Sequence, residues 1–404
     1  MEPTARALFN AAFSEAGYLR YCADLVRRTG GEEIGFRLAE TPTFFPAGLR
    51  ERCVRAGNEI VAELCKPANI ARMRAAIPPD RNVPGETALP SFGIVDFAIV
   101  AEADGSLGPR LVEIQGFPSL IAFQQMQRDA WAAELARMPG LEGPWSCWFD
   151  GLGGDDFLEL ARRTIVGDHD PAHVALVDID PPAQKTSCDF RATKTLFGVD
   201  AVCPTKLEKR GRRLFRRDEA GRALPVERIY WRIVIDELEK KGVTLPFDLR
   251  DELDVEWTPH PNWFFIWSKY SLPFLDHPAV PRTHFLSDVS ELPPDLTERY
   301  VLKPLFSFAG GGVNVAPTAA DVAAIPIAQR GGWCLQEKIT YAPDLRAVDG
   351  GGVKAEMRMM YLRPDDASEL VPAINLCRLA RGPMIGVDFN KDLTWVGSSI
   401  GLWR

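Results

Sequence analysis

Residues 300–313 read Tyr300-Val301-Leu302-Lys303-Pro304-Leu305-Phe306-Ser307-Phe308-Ala309-Gly310-Gly311-Gly312-Val313. A short apolar strand delivers a lysine, and a loop with three successive glycines follows. Glycines let backbone N–H groups close on phosphate oxygens, and a lysine adds a point charge. The order of the two features excludes a Walker-type loop, in which the lysine follows the glycines and precedes Ser or Thr. Lys303 and Gly310–Gly312 are therefore candidate phosphate-binding residues.

Working outward, Trp333-Cys334-Leu335-Gln336-Glu337-Lys338-Ile339 is a strand that ends in polar residues. Such an end can offer backbone groups to an adenine edge and a carboxylate to a ribose. Further on, Lys354, Glu356 and Arg358 alternate with Ala355, Met357 and Met359, so one face of that strand is polar. Arg358 suits a triphosphate. The third piece is a predicted hairpin. Ile94 to Ala101 is apolar, Ala103-Asp104-Gly105-Ser106 turns, and Arg110 to Ile114 returns. Asp96 on the first strand then falls roughly opposite Glu113 and Gln115 on the second. Oxygen donors of this kind suit Mg²⁺, which is usually held by one or two carboxylates plus substrate phosphates.

The rest of the chain sets the frame. Helical spacing is predicted from Leu8 to Val26, over 47–64 and over 119–138. Residues 173–179, 199–202 and 228–235 read as strands around a helix over 184–197, in the manner of a small parallel sheet. The basic run from Lys206 to Arg217 reads as a solvated hairpin. Short strands are expected at 300–303, 313–316, 333–336, 354–362, 371–377 and 384–390. The chain has 404 residues, 46% of them hydrophobic, and a net charge of −8, which disfavours nucleic acid as a partner. Its eight cysteines show no Cys-x-x-Cys pair and read as reduced thiols of a cytoplasmic protein. No apolar run approaches the roughly 20 residues of a membrane span, and no secretory leader is expected.

Taken together, these islands resemble the circularly permuted ATP-grasp ligases related to glutathionylspermidine synthase. The resemblance covers about residues 90–390. It implies an α/β (α+β) ATP-grasp fold with an N-terminal helical segment and a small Rossmann-like pre-ATP-grasp lobe. The expected segments are 1–150 (helices and metal-binding hairpin), 151–250 (the α/β lobe) and 251–404 (lid and nucleotide-binding core). Asp96, Glu113 and Gln115 fall on the family's metal ligands, with Gln115 in place of an Asn. Lys269, in Trp267-Ser268-Lys269, falls on a phosphate contact. Lys303, Ser307 and Gly310–Gly312 fall on the Lys-Pro strand and glycine loop, and Gln336, Glu337, Lys338 and Ile339 on the adenine-binding segment. Arg358 falls on the strand arginine near the phosphates. Ile94 stands where the family has an arginine, and Arg232, Arg378 or Arg381 is the expected substitute. Asp388-Phe389-Asn390 offers a competing acid-x-Asn pattern, but no acid lies between Glu369 and Asp388 to join it, so these residues are expected to line the substrate pocket.

What the resemblance implies is ATP- and Mg²⁺-dependent joining of a small-molecule carboxylate to an amine through an acyl phosphate. Lys303, Arg358 and Arg232 would be the catalytic residues. A phosphotransferase on the same scaffold, or a nucleotide-binding protein without turnover, are the alternatives.

Overall fold

The computed structural model describes residues 1–307, 311–385, 390 and 392–404. Gly310 and Asp388 lie outside the described residues, as does most of the expected strand 384–390. Met384 and Ile385, from its start, are not in a strand.

The central sheet takes its strands from both ends of the chain. The hairpin strands Phe92–Ala101 and Leu107–Gln115 are joined to Gly352–Leu362, then to Val371–Ala380 and Gly397–Ser399, all antiparallel. Every paired residue shares a face with its partner. One face therefore carries Asp96, Glu113, Glu356, Arg358, Arg378 and Ser398, and the other Val95, Ile114, Met357 and Met359. The apolar face is covered by the helix Ala47–Leu64, whose Gly57 lies against Met359 and Tyr361. A helix that buries Leu49, Cys53, Ala56, Ile60 and Leu64 needs such a surface.

Whether both acids reach one face is decided by a single extra residue. Near the turn, Phe97 pairs with Leu111 and Ala98 with Arg110. That register, continued, would place Val112 opposite Asp96 and turn Glu113 toward the covered face. A bulge at Val112 restores the phase, and Asp96 pairs with Glu113.

A second, three-stranded sheet orders Thr283–Phe285, Trp333–Glu337 and Tyr300–Pro304. Leu302 and Leu335 enter a small core with Leu286, Leu296, Val322 and Ile325. Lys303, Cys334 and Gln336 fall on the opposite face. The middle of the chain forms a four-stranded parallel sheet of Val174–Val177, Asp200–Val202, Arg228–Trp231 and Glu256–Thr258, with the helix Ser187–Phe197 crossing between the first two. The basic run is a hairpin as expected, Glu208–Arg210 with Arg213–Arg217, and its arginines pair with local acids such as Glu208 and Asp254.

Several expectations need correction. The first helical stretch is two helices, Pro3–Ala12 and Glu15–Arg28, because Ser14 caps the second by accepting from Gly17 N. The strand expected at 228–235 ends at Trp231, and Ile235 opens a short helix. Residues 313–316 make one bridge, Asn314 to Leu302, rather than a strand. The helix Gly154–Ile165 was not anticipated.

The segment bearing Lys269 is pinned to the hairpin at Gly116, whose N–H donates to Trp267 O at 2.8 Å. A Cβ there would lie 2.4 Å from Trp263 O, a backbone atom that cannot swing aside. Gly116→Ala should therefore cost about 1–3 kcal/mol, the usual penalty of overpacking. Thermal unfolding should show a lowered midpoint; an unchanged midpoint would mean the contact is slack.

Candidate active site

The polar faces of the two antiparallel sheets meet. Lys303 Nζ donates to Gln336 Oε1 on its own sheet and reaches Val112 O, the bulge carbonyl, at 3.4 Å. Lys269 sits at the start of a 3₁₀ helix whose cap, Ser268 Oγ, accepts from Tyr270 N. Its ammonium donates to Ser307 O at 2.6 Å and lies 3.4 Å from Glu113 Oε2. Gln115 Nε2 donates to Glu113 Oε1. On the large sheet, Arg358 grips Asp96 with two parallel bonds, Nε to Oδ1 at 2.7 Å and Nη2 to Oδ2 at 2.6 Å. Arg378 Nη2 joins Asp96 Oδ2 at 2.5 Å and also meets Glu356 Oε1, while Tyr341 OH donates to Glu356 Oε2 at 2.6 Å.

Four cations thus face three carboxylates in one cleft, and their charges tune one another. Burial alone would raise the Glu113 carboxyl, but Lys269, Arg378, Arg358 and Lys303 outweigh it and hold it down at about 2. Burial lowers Lys303, against the pull of Cys334 and Glu113. Glu356 is raised, chiefly by burial and then by the neighbouring Asp96 charge, against Arg378.

Lys269, Lys303, Arg358, Asp96, Glu113, Gln115, Ser307 and Gln336 are brought together as the sequence suggested. Others are not. Glu337 pairs with Arg299 at 2.9 Å, and Lys338 Nζ donates to Thr297 O at 2.9 Å, so both are engaged at the rim of the small sheet. Ile339 lies two residues past that strand's last residue, Glu337, and is half-buried. Gly311 and Gly312 are exposed, and Gly312 adopts φ +72° with Pro304 close by, a place where a side chain would be strained. Arg232 does not join the cluster. It is buried, donates to Asp189 Oδ2 at 2.6 Å, and lies against the rings of Phe190 and Tyr230. Asn390 spends its side-chain oxygen on Arg381 N and Gly382 N and its nitrogen on Met384 O.

Of the substitutes that the sequence offers for the arginine missing at Ile94, Arg378 joins the cluster, while Tyr341 is a member that the sequence did not single out. Arg378 sits past the expected end of strand 371–377. The strand runs to Ala380, and alternation from Leu376 would have pointed to it. Tyr341 lies outside the strands and carried no sequence signal.

Between the hairpin and Lys269 the free space is about 20 Å³, bounded by Glu113, Gln115, Gly116, Trp267 and Ser307 among others. A larger cavity of about 820 Å³ lies elsewhere, against Arg228, Glu256, Trp257, Arg363 and Asp365, and shares none of the cluster's residues.

With this geometry in view, the comparison with solved structures is specific about architecture. A glutathione synthetase-like effector from Globodera pallida, in its apo form, superposes with a TM-score of 0.61 at 11% identity over 96% of each chain. At that identity the likeness is one of fold. A protein described as a candidate gamma-glutamylcysteine synthetase from Methylobacillus flagellatus overlaps 87% of this chain and 86% of its own at 14% identity. Its TM-score of 0.35 is too low to add to the comparison. No family model and no curated protein matches the chain.

The depressed Glu113 carboxyl gives a pH signature. Its folded value of about 2 lies below the unfolded one, which is ~4.3 for a glutamate. Its contribution to stability is complete above the unfolded value and is lost as pH falls through the folded one. In urea unfolding, the stability gap between the parent and Glu113→Gln should be widest at neutral pH and narrow as pH drops below about 4. A gap that stays constant or widens with acid would contradict the pairing.

Proposed function

We propose that this chain is an ATP-dependent carboxylate–amine ligase with the permuted order of ATP-grasp elements suggested by its sequence. The observation that carries the reading is the meeting of Lys269, Lys303, Arg358 and Arg378, from four separate elements, in one cleft between two sheets. Cationic side chains gathered around a cleft are what a polyphosphate requires. The buried Gln336 amide supports it further: its oxygen takes Lys303, while Nε2 has no hydrogen-bond partner among the described residues. A nucleotide acceptor would satisfy that donor.

In this reading Lys303 and Lys269 hold the phosphates, with the loop bearing Ser307, Gly311 and Gly312 packed over them. Arg358 and Arg378 lie where charge develops as the substrate carboxylate oxygen attacks the γ-phosphorus and ADP departs. The amine then adds to the acyl carbon, loses its proton to solvent, and phosphate leaves. Catalysis of this kind is positioning and charge neutralisation more than covalent chemistry. Mg²⁺, when bound with the nucleotide, would supply further neutralisation of phosphate charge. Glu113 and Gln115 carry oxygens suited to hold it, Glu113 ionised and part-exposed. The nearly closed cleft would keep water from the acyl phosphate.

Arg232 belongs to the substrate side in this scheme. It follows the strand Arg228–Trp231 as Asp178 follows Val174–Val177, and Arg232 N donates to Val177 O at 3.0 Å. These two strands are neighbours in the parallel sheet, and the chain reaches one side of Val174–Val177 before it crosses to the other. Crevices at such reversal points, outside the carboxyl ends of parallel strands, are where open α/β sheets take ligands. Burial raises the Asp178 carboxyl to about 7, leaving Arg232 and Asp178 as a polar pair of adjustable charge.

Lys303→Ala tests the nucleotide site. Loss of a buried charged contact should weaken ATP binding by about 2–5 kcal/mol while the chain stays folded. Calorimetry that finds the affinity unchanged overturns the site. Incubation of the parent with ATP, Mg²⁺ and panels of amino acids, short peptides and polyamines should release phosphate and form an amide. A stable phosphate ester would instead mark a phosphotransferase.

A further inference from the structure

Asp96 is one of the two carboxylates that the sequence offers as metal ligands, and its surroundings do not suit a metal. It has no exposed surface. Both oxygens are occupied: Oδ1 by Arg358 Nε, Oδ2 by Arg358 Nη2 and Arg378 Nη2. A Mg²⁺ ligand must present an oxygen at about 2.0–2.1 Å to the ion. Three charge-assisted bonds take up most of its lone pairs, Asp96 has no exposed surface, and a cation at the one lone pair left on Oδ1 would be set against two guanidinium charges.

The same bonds arrange the arginines. Arg358 is held by a fork on Asp96, and Arg378 is braced between Asp96 and Glu356, itself fixed by Tyr341. Spare donors remain. No described residue accepts from Arg358 Nη1 or Arg378 Nη1, and Arg378 Nε is buried without a partner among the described residues. Glu113 differs from Asp96: its side chain is 19% exposed, and its neighbours are Gln115 and, at 3.4 Å, Lys269.

We propose that Asp96 is a positioning residue and not a metal ligand: it locks Arg358 and Arg378 side by side as a two-guanidinium clamp for phosphoryl oxygens, and divalent-metal binding rests on Glu113 with Gln115. This deepens the ligase reading and rests on it.

The two roles differ in sign. Replacing Asp96 by Asn removes a negative charge beside the cleft. A carboxylate acting through charge alone would, on removal, leave phosphate binding stronger. A positioning carboxylate, on removal, frees the arginines and leaves it weaker. The full-length chain and its Asp96→Asn, Glu113→Gln and Arg378→Gln variants should be titrated with AMP-PNP by calorimetry. Mn²⁺ should then be titrated at saturating AMP-PNP by electron paramagnetic resonance, with circular dichroism to confirm folding. Glu113→Gln should lower Mn²⁺ affinity by about 10–100-fold. Asp96→Asn should leave Mn²⁺ affinity within about threefold and lower AMP-PNP affinity by about tenfold or more. Arg378 is one-third exposed and its loss threatens the fold less; Arg378→Gln should repeat the nucleotide effect and leave Mn²⁺ unchanged. If Asp96→Asn does not fold, Arg378→Gln decides, and an unchanged AMP-PNP affinity there overturns the clamp. Loss of Mn²⁺ in Asp96→Asn as large as in Glu113→Gln, with nucleotide binding intact, overturns this inference alone. A parent chain that binds no AMP-PNP overturns the ligase reading and this inference together.

Discussion

A carboxylate carried to zero exposure in the middle of a sheet must be matched by cations, because an unpaired charge there is prohibitively costly. Asp96 is that group, and much of the polar face follows from it. Its two arginines come from adjacent strands, and one of them needs a second acid, Glu356, which in turn takes the Tyr341 hydroxyl. The network joins residues nearly 300 positions apart in sequence. It makes the hairpin at 92–115 and the strands at 352–380 a single electrostatic unit. Breaking such a unit by removing one partner strands the others, which is why buried ion networks behave cooperatively.

Polar contacts join the small sheet to this face. Lys303 reaches Val112 O, and Lys269 bridges Ser307 and Glu113. Leu302 and Leu335 of the small sheet enter its own core, while Phe285 packs against Tyr270 and Phe274. Polar contacts between two separately cored bodies can be exchanged for contacts to a ligand at modest cost, whereas a shared hydrophobic core cannot. The architecture therefore suits a cleft that opens for a ligand and closes on it.

Much of this was legible in the sequence, for identifiable reasons. The alternation of Lys354, Glu356 and Arg358 with Ala355, Met357 and Met359 could be read directly, since a strand half covered by a helix has to alternate. The Lys303 strand, the hairpin and the parallel strands at 174–177 and 200–202 were visible by the same means. What escaped was what depends on distant partners. Nothing local says that Arg378, near the end of its strand, would reach Asp96. Nothing in the Asp96 neighbourhood says that its oxygens would be filled by guanidinium groups. Arg232 reads in the sequence as a substitute for the arginine missing at Ile94, but Asp189, on the helix Ser187–Phe197, neutralises it. The two N-terminal helices were merged because hydrophobic spacing carries across Phe13 and Ser14, whereas the cap at Ser14 is a backbone matter.

The extra residue at Val112 works as a frame-shift within the hairpin. On the turn side, odd-numbered positions such as Leu111 face the helix Ala47–Leu64; on the far side, odd-numbered Glu113 and Gln115 face the cleft. Changes in residue number near the exposed Asp104-Gly105 tip are thereby decoupled from the acids, provided the bulge keeps its place. Deletion of Val112 would let the turn-side register run unbroken and set Glu113 opposite Asp96, still on the cleft face; keeping Val112 while ironing out the bulge is what would invert the half of the hairpin that carries the acids. Two homologues could then differ by one residue between the turn and the acids and still present the same surface to the cleft, one through a bulge and the other through a regular ladder.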